Sequence, residues 1–171
     1  MKKDIRKSML EKRQQLSKAE VLARSARMVD LIKALPFFSE AKIIGLYMPV
    51  TNELDIREIA DLDIRPAYPK VEKDGIHFYA TTETSRFVKS DFGILEPVLG
   101  KRVDDDIDLL LVPAIAISKT FYRIGFGKGY YDDFLQKHRP RHVIGIIYDF
   151  QEIDHFEPGP HDQKLDAYLK V

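Results

Sequence analysis

Three uninterrupted apolar runs constrain the fold of this chain more than any other feature of its sequence. They occupy residues 43–48, 109–112 and 143–148, each among segments rich in charged residues. A strand covered on one face alternates apolar and polar side chains, whereas a strand covered on both faces is apolar throughout. The three runs therefore predict the centre of a parallel sheet that is buried on both sides.

Two amphipathic helices are predicted ahead of the first strand, over about residues 4–35. Apolar residues at helical spacing indicate the first helix over residues 4–16. Ser17 and Glu20 have the spacing of a capping box, which predicts the start of the second helix. That helix should reach about Leu35, where Pro36 interrupts it. Its buried face should carry Leu22, Ala26, Val29 and Ile32.

Shorter segments fill in the rest of the fold. Residues 66–68 and 76–80 predict further strands, and residues 55–60 and 130–137 predict crossover helices. The second of these helices should turn Tyr131, Phe134 and Leu135 inward. No repeat or flexible linker marks a domain boundary. The alternation predicts an α/β fold, a three-layer α/β/α single domain over residues 1–171 with a mostly parallel central sheet.

Composition excludes several classes of protein. The 27 Lys and Arg residues balance 27 Asp and Glu residues, so no overall charge favours nucleic acid or an anionic membrane. The chain has no cysteine, which excludes disulfides and thiolate metal sites and fits a reducing compartment. Neither a secretory signal nor a membrane-spanning apolar run is present. We expect a cytoplasmic protein without nucleic-acid or membrane partners.

A glycine-rich loop over residues 123–132 carries the strongest chemical signal. It follows a predicted buried strand and leads directly into a predicted helix. Alternating glycines allow backbone N-H groups to approach a ligand, and a helix amino terminus favours anions. Arg123 and Lys128 add full positive charges for a phosphate chain, and Asp132 is placed to hold Mg²⁺. The loop is not a Walker A motif, because Lys128 is followed by Gly129 and not by Ser or Thr and the GxxxxGK spacing is absent. It does not match the GxGxxG pattern of a dinucleotide turn either.

Three other places are open to two interpretations each. Glu53 follows the first apolar run, where it either binds the N-H groups of a heterocycle or is a helix-capping or surface carboxylate. Met48, in the same segment, either contacts the ligand or fills the core. His161 and Asp162 lie in a polar loop that borders a cleft or only solvent. The amino-terminal cations, among them Lys2 and Arg6, form a solvated helix face unless a phosphate lies nearby.

Five separated segments together resemble the 5-formyltetrahydrofolate cyclo-ligase family, also called methenyltetrahydrofolate synthetase. The most specific segment is residues 110–135, with its strand, RxGxGxGYYD loop and helix. The spacing of Lys2, Arg6 and Arg13 supports it. Further support comes from residues 47–55, 93–97 and 161–166. In this order the segments cover nearly the whole chain.

The resemblance implies a Mg²⁺-dependent reaction that converts 5-formyltetrahydrofolate and ATP to 5,10-methenyltetrahydrofolate, ADP and phosphate. It also implies a fold similar to the sugar-phosphate isomerase type. We expect a monomer. Arg123 and Lys128 would be catalytic, and Asp132 and Asp162 would bind the metal. The implied ATP-binding residues are Lys2, Arg6, Arg123, Gly125, Gly127, Lys128, Gly129, Tyr130 and Tyr131. The implied folate contacts are Met48, Glu53, Phe126 and Tyr130.

The chain departs from the family pattern around the loop. Ser118 and Phe121 stand where an aspartate and a glycine are usual, and Ala114 and Ile56 replace a glycine and a threonine. Phe121 should alter the turn that aims Arg123, because phenylalanine adopts a positive φ less readily than glycine. Three alternatives therefore stay open: an ATP-dependent enzyme for another formamide, a non-catalytic nucleotide or folate binder, and a sugar-phosphate isomerase.

Overall fold

The computed structural model describes all residues from 1 to 171 and contains three α-helices and twelve strands. The helices are α1 (Lys2–Gln14), α2 (Lys18–Lys33) and α3 (Tyr130–Lys137). The first six strands are β1 (Ile43–Gly45), β2 (Arg65–Glu72), β3 (Gly75–Ala80), β4 (Phe87–Lys89), β5 (Leu95–Pro97) and β6 (Lys101–Arg102). The others are β7 (Leu109–Pro113), β8 (Ala116–Ser118), β9 (Arg123–Ile124), β10 (His142–Ile147), β11 (Glu152–Ile153) and β12 (Ala167–Lys170).

A seven-stranded sheet in the order β12-β10-β7-β1-β2-β3-β6 forms the middle layer. The three apolar runs became β1, β7 and β10, which lie side by side and pair in parallel. The outer pairs β10 with β12 and β1 with β2 are parallel too, whereas β2 with β3 and β3 with β6 are antiparallel. The predicted α/β class with a mostly parallel central sheet is confirmed.

The continuous apolar runs are explained by burial on both faces of the sheet. In β7, Leu109 and Leu111 belong to the core under α2, while Leu110 and Val112 belong to the core under α3. All four side chains are fully buried. Neither face of this strand meets water, so neither set of alternate positions is polar.

The capping box at the start of α2 is confirmed. Glu20 N donates to Ser17 Oγ (3.1 Å) and Ser17 N donates to Glu20 Oε2 (2.9 Å). The expected buried face is partly wrong, because Leu22 is 75% exposed and Ala26 is exposed too. The helix instead buries Ser25, Met28, Val29 and Ile32. Ser25 belongs to this face because its hydroxyl accepts the Asp55 N-H (2.9 Å) of the connection leaving β1.

Three of the four shorter predictions are confirmed and one is corrected. Residues 66–68 and 76–80 lie in the β2–β3 hairpin, and α3 has the predicted bounds and buries Phe134 and Leu135. Residues 55–60 do not form an α-helix; the crossover is a short 3-10 helix at Arg57–Asp61. Further 3-10 turns lie at Phe38–Glu40 and Asp149–Gln151. No helix has the length and apolar character needed to cross a membrane.

Two small sheets surround one end of the large one. Strands β11, β8 and β9 form a three-stranded sheet, and β4 pairs with β5 in a hairpin. The first two residues of the glycine-rich loop, Arg123 and Ile124, form β9, and the glycines follow where this small sheet stops. The loop then enters α3, as the sequence indicated.

Candidate active site

A cavity of about 690 Å³ lies beyond the carboxyl ends of β1 and β7, where open α/β sheets bind their ligands. Every site residue expected from the sequence contributes to its lining. Those residues are Lys2, Arg6, Met48, Glu53, Arg123, Gly125, Phe126, Gly127, Lys128, Gly129, Tyr130, Tyr131, Asp132 and Asp162. They come from both ends and the middle of the chain, so the fold brings distant segments into one site.

The glycine-rich loop has a backbone that only glycine adopts readily. Gly127 has a φ of 99° and Gly129 a φ of 72°, both in the left-handed region. Gly129 is the residue before α3, so the loop exposes the first N-H groups of that helix to the cavity. Arg6 ties the loop to α1, since its Nε donates to the Gly125 carbonyl (2.7 Å).

The two loop cations differ in their surroundings. The Arg123 guanidinium lies 5.0 Å from the centre of the Tyr131 ring, and its Nε donates to the Pro113 carbonyl (3.3 Å). Burial lowers the pKa of Arg123, against the opposing effect of Asp132. Lys128 is exposed and makes no hydrogen bond or ion pair, although its Nζ lies 5.9 Å from the Phe92 ring centre. Arg123 is therefore fixed in place, whereas Lys128 is free to meet a ligand.

The two candidate metal ligands, Asp132 and Asp162, lie on segments that a hydrogen bond joins. Asp132 Oδ1 accepts the Gln163 N-H (3.0 Å), so α3 is joined to the loop that carries Asp162. Asp162 Oδ2 accepts from Lys2 Nζ (2.5 Å) and Gly159 N (2.7 Å). Burial raises the pKa of Asp162, but the hydrogen bonds from Lys2 and Gly159 outweigh it and the net pKa is lowered.

This pair of carboxylates has the donor chemistry that Mg²⁺ requires. Asp132 Oδ2 and Asp162 Oδ1 make no hydrogen bond within the protein. Mg²⁺ prefers oxygen ligands and is usually held by one or two carboxylates together with substrate phosphates. Two aspartates beside a glycine-rich loop fit that pattern.

A second acidic cluster lies on the β2–β3 hairpin and does not line the cavity. It consists of Glu72, Asp74 and His77, whose ligand atoms lie within 4.8 Å of one another. His77 Nε2 lies 2.7 Å from Asp74, and Arg102 donates to Glu72 (2.7 Å). Burial opposes protonation of His77, but hydrogen bonds to Asp104 and Asp74 outweigh it and raise the pKa of His77. The charged groups of this cluster are therefore already paired, His77 with Asp74 and Glu72 with Arg102.

Glu53 is neither a surface carboxylate nor a helix cap. It is buried in the turn after β1, and its Oε2 accepts the Val50 N-H (3.0 Å). Burial raises the pKa of Glu53 to about 7, although Arg13, the Val50 N-H and Arg123 each oppose the rise. The cavity therefore contains a carboxyl group that changes its charge near neutral pH. Met48 lines the same wall and is only partly buried.

The sequence did not identify the wall opposite the glycine-rich loop. Phe92, Ile94 and Glu96 from the β4–β5 hairpin line the cavity, as do Val71 and Ile76 from β2 and β3. Glu96 Oε2 accepts the Val71 N-H (2.8 Å), which fastens one hairpin to the other. Residues 93–97 supported the family resemblance, but only the fold places them at the cavity.

The departures from the family pattern fit into a closed turn. Phe121 has a φ of 71°, so it adopts the left-handed geometry that glycine would take. Its ring packs on Tyr168 with centres 5.8 Å apart, and its N-H donates to the Ser118 carbonyl (2.8 Å). The Ser118 hydroxyl accepts the Tyr122 N-H (3.2 Å). Ala114 and Ile56 are buried.

Comparisons with known proteins agree with these features. The 5-formyltetrahydrofolate cyclo-ligase family model matches residues 1–170. A 5-formyltetrahydrofolate cyclo-ligase of Mycoplasma pneumoniae is 34% identical over 177 residues, which cover 98% of this chain and 97% of that protein. The corresponding protein of Mycoplasma genitalium is 31% identical over 172 residues, 98% of this chain and 96% of its own length.

Solved structures agree as well. The NMR structure of Aquifex aeolicus 5,10-methenyltetrahydrofolate synthetase superimposes with a TM-score of 0.88 at 33% identity, over 99% of this chain and 89% of that one. The 5,10-methenyltetrahydrofolate synthetase of Mycoplasma pneumoniae gives a TM-score of 0.77 at 32% identity, over 98% of this chain and 96% of that one. The sequence, the fold and these relatives agree that the chain belongs to the 5-formyltetrahydrofolate cyclo-ligase family.

Proposed function

We propose that this protein catalyses the ATP- and Mg²⁺-dependent cyclisation of 5-formyltetrahydrofolate to 5,10-methenyltetrahydrofolate, with release of ADP and phosphate. The observation that carries the proposal is one cavity in which a glycine-rich loop with the cations Arg123 and Lys128 lies together with the buried carboxyl group of Glu53. The loop suits a polyphosphate and the carboxyl suits the N-H donors of a pterin ring. Membership of the cyclo-ligase family supports the same pairing of ligands.

The chemistry requires activation of a formamide oxygen, which is a poor leaving group. The formyl oxygen attacks the γ-phosphorus of ATP, so an O–P bond forms and ADP leaves. The N5 lone pair then forms a C=N bond, and N10 attacks the same carbon. The C–O bond breaks, phosphate departs and N10 loses its proton. No protein nucleophile takes part, so the protein contributes orientation and charge stabilisation.

The phosphate chain would lie along the glycine-rich loop. Lys2 and Arg6 reach the cavity from α1, where they can neutralise phosphate oxygens. Arg123 and Lys128 would stabilise charge on the transferring phosphoryl group, as in phosphoryl transfer generally. The other loop residues that face the nucleotide would be Gly125, Gly127, Gly129, Tyr130 and Tyr131.

Asp132 and Asp162 would hold Mg²⁺, which neutralises charge on phosphate oxygens when it is bound. Lys2 pairs with Asp162 in the structure, and its Nζ would move toward the nucleotide once the carboxylate serves the metal. The cluster of Glu72, Asp74 and His77 has no part in this step, because it lies outside the cavity.

The folate would occupy the part of the cavity nearest Glu53. An ionised Glu53 accepts hydrogen bonds from pterin N-H groups, while Met48, Phe126 and Tyr130 offer apolar and aromatic contact. Phe126 is 55% exposed, so a flat ring can lie against it without moving the core. These contacts support a reduced folate as the substrate.

We also propose that the enzyme works in the cytoplasm as a single-domain monomer, without a nucleic-acid or membrane partner. The balanced charge and the absence of cysteine support this setting. Light scattering of the purified protein at several concentrations tests the oligomeric state. A mass that stays near 19.8 kDa agrees with a monomer, and a doubled mass contradicts it.

A ligand that lacks only the reacting oxygen tests the proposed reaction. ADP release is measured with Mg²⁺, ATP and either 5-formyltetrahydrofolate or 5-methyltetrahydrofolate, which has no formyl oxygen at N5 to phosphorylate. We expect ADP release with the formyl compound alone. Release without folate would indicate an ATPase, and ATP binding without release would indicate a sensor or carrier.

A further inference from the structure

Arg13 is the most deeply buried charged side chain of the protein, with 1% of its surface exposed. Its Nε donates to the Thr51 carbonyl (2.7 Å), and its Nη1 lies 3.8 Å from Glu53 Oε1. Its Nη2 has no hydrogen-bond partner within the protein. Burial of a guanidinium with an unsatisfied nitrogen is unfavourable, so its position requires an explanation beyond stability.

The contacts of Arg13 all converge on the turn that carries Glu53. Asn52 Nδ2 donates to the carbonyls of Arg13 (3.1 Å) and Leu16 (3.2 Å). Tyr148 Oη donates to the Asn52 carbonyl (2.8 Å). Thr51 and Asn52 have φ values of 48° and 59°, which non-glycine residues adopt only when their surroundings hold them there. Arg13 is thus part of the support that fixes this strained turn.

Arg13 is excluded from the cavity, whereas Glu53 lines it. A ligand in the cavity therefore meets the carboxylate and not the guanidinium behind it. Any effect of Arg13 on a ligand must pass through Glu53. This arrangement distinguishes Arg13 from Arg123, which lines the cavity itself.

The charge of Glu53 depends on a small set of neighbours. Burial favours the neutral acid, and Arg13 is the largest influence that favours the carboxylate, followed by the Val50 N-H and Arg123. Burial raises the pKa of the Tyr47, Tyr131 and Tyr148 hydroxyls, and the Glu53 carboxylate adds to the rise. Because Arg123 faces the ligand site, Arg13 is the one nearby cation that no ligand can draw away from Glu53.

We propose that Arg13 is a positioning residue for substrate recognition: it directs the Glu53 carboxyl group into the cavity and favours its carboxylate form, which accepts the N-H donors of the reduced folate. The assignment of the donors rests on the proposed function. The effect of Arg13 on the ionisation and orientation of Glu53 does not, so the two are tested separately.

The first experiment needs no turnover. Protein labelled with ¹³C at the glutamate carboxyl carbons is titrated by NMR, and the Glu53 signal is assigned by its loss in Glu53→Gln. We expect the Glu53 midpoint to rise by about one pH unit or more in Arg13→Met, since the largest opposing charge is lost. Arg13→Lys should restore most of the wild-type midpoint. An unchanged midpoint in Arg13→Met overturns the proposal.

The second experiment is a double-mutant cycle on catalysis. Arg13→Met should raise the KM for 5-formyltetrahydrofolate about tenfold or more at pH 7, with the KM for ATP changed less than about twofold. In a Glu53→Gln background the same substitution should change the folate KM less than about twofold, because the carboxylate it serves is gone. Equal effects in both backgrounds would show that Arg13 does not act through Glu53.

Arg24→Met is the control for losing an arginine that pairs with a carboxylate outside the cavity. Arg24 bonds Asp149 (3.2 Å) and the Val171 carbonyl (3.5 Å), away from the cavity. We expect its KM values to match those of the wild type. If Arg13→Met alone does not fold, Arg13→Lys and the double variant Arg13→Met/Glu53→Gln take its place. A double variant whose folate KM is indistinguishable from that of Glu53→Gln supports the proposal. A double variant with a further tenfold loss overturns it.

Discussion

Lys2 Nζ and Asp162 Oδ2 lie 2.5 Å apart and join the first turn of the chain to the loop before its last strand. Both residues line the cavity, one as an expected phosphate contact and the other as an expected metal ligand. The ion pair thus holds the cation that would meet ATP beside the carboxylate that would meet Mg²⁺. Each group neutralises the charge of the other in the structure.

Loss of the Lys2 charge should weaken nucleotide binding. We predict that Lys2→Ala raises the KM for ATP about tenfold or more, because a charge-assisted hydrogen bond to phosphate is removed. The melting temperature should change little, since the side chain is partly exposed and exposed pairs contribute little to stability. Lys3→Ala is the control: Lys3 is exposed and does not line the cavity. Equal KM values for the two variants would contradict the assignment.

The glycine-rich loop should be essential for turnover and dispensable for folding. We predict that Lys128→Ala and Asp132→Ala each lower kcat about 100-fold or more, because each removes charge stabilisation of the transferring phosphoryl group. Lys128 makes no hydrogen bond or ion pair, so the thermal unfolding of Lys128→Ala should match that of the wild type. Lys137→Ala, which breaks only an exposed pair with Asp133, should keep full kcat. Near-normal rates in both loop variants would remove the loop from the mechanism.

Folate binding should depend on pH through Glu53. Burial raises the pKa of Glu53 to about 7, so the carboxyl is mostly neutral at pH 6 and mostly ionised at pH 8. An ionised carboxylate accepts N-H donors better than the acid. We therefore predict that the dissociation constant of 5-formyltetrahydrofolate, measured by calorimetry without ATP, falls as pH rises through this range. Glu53→Gln should bind weakly at both pH values, and a retained pH dependence in that variant would exclude Glu53 as its source.

The left-handed backbone at Phe121 gives a stability prediction. Phe121→Ala loses the ring contact with Tyr168 and keeps the strain of a Cβ at a φ of 71°. Phe121→Gly loses the same ring but relieves the backbone strain. Denaturant unfolding should show the glycine variant to be more stable than the alanine variant by about 1 kcal/mol. The reverse order would mean that the backbone there is not strained.

The central strands could be predicted because burial on both faces leaves no polar positions, as Leu109 and Leu110 illustrate by entering opposite cores. The loop could be predicted because its glycines, cations and aspartate are consecutive. The buried face of α2 was harder, since a serine that bonds Asp55 replaces an apolar residue. The hairpin wall at Phe92 and the role of Arg13 depend on contacts between distant segments, and sequence spacing does not encode those contacts.

The most direct test of the proposed reaction is the absorbance of the methenyl product, followed after the protein is mixed with 5-formyltetrahydrofolate and Mg²⁺, with and without ATP. We predict a rise in the methenyl band that requires ATP and matches the ADP released. Folded protein that binds ATP and 5-formyltetrahydrofolate but produces no methenyl band would contradict the proposed reaction.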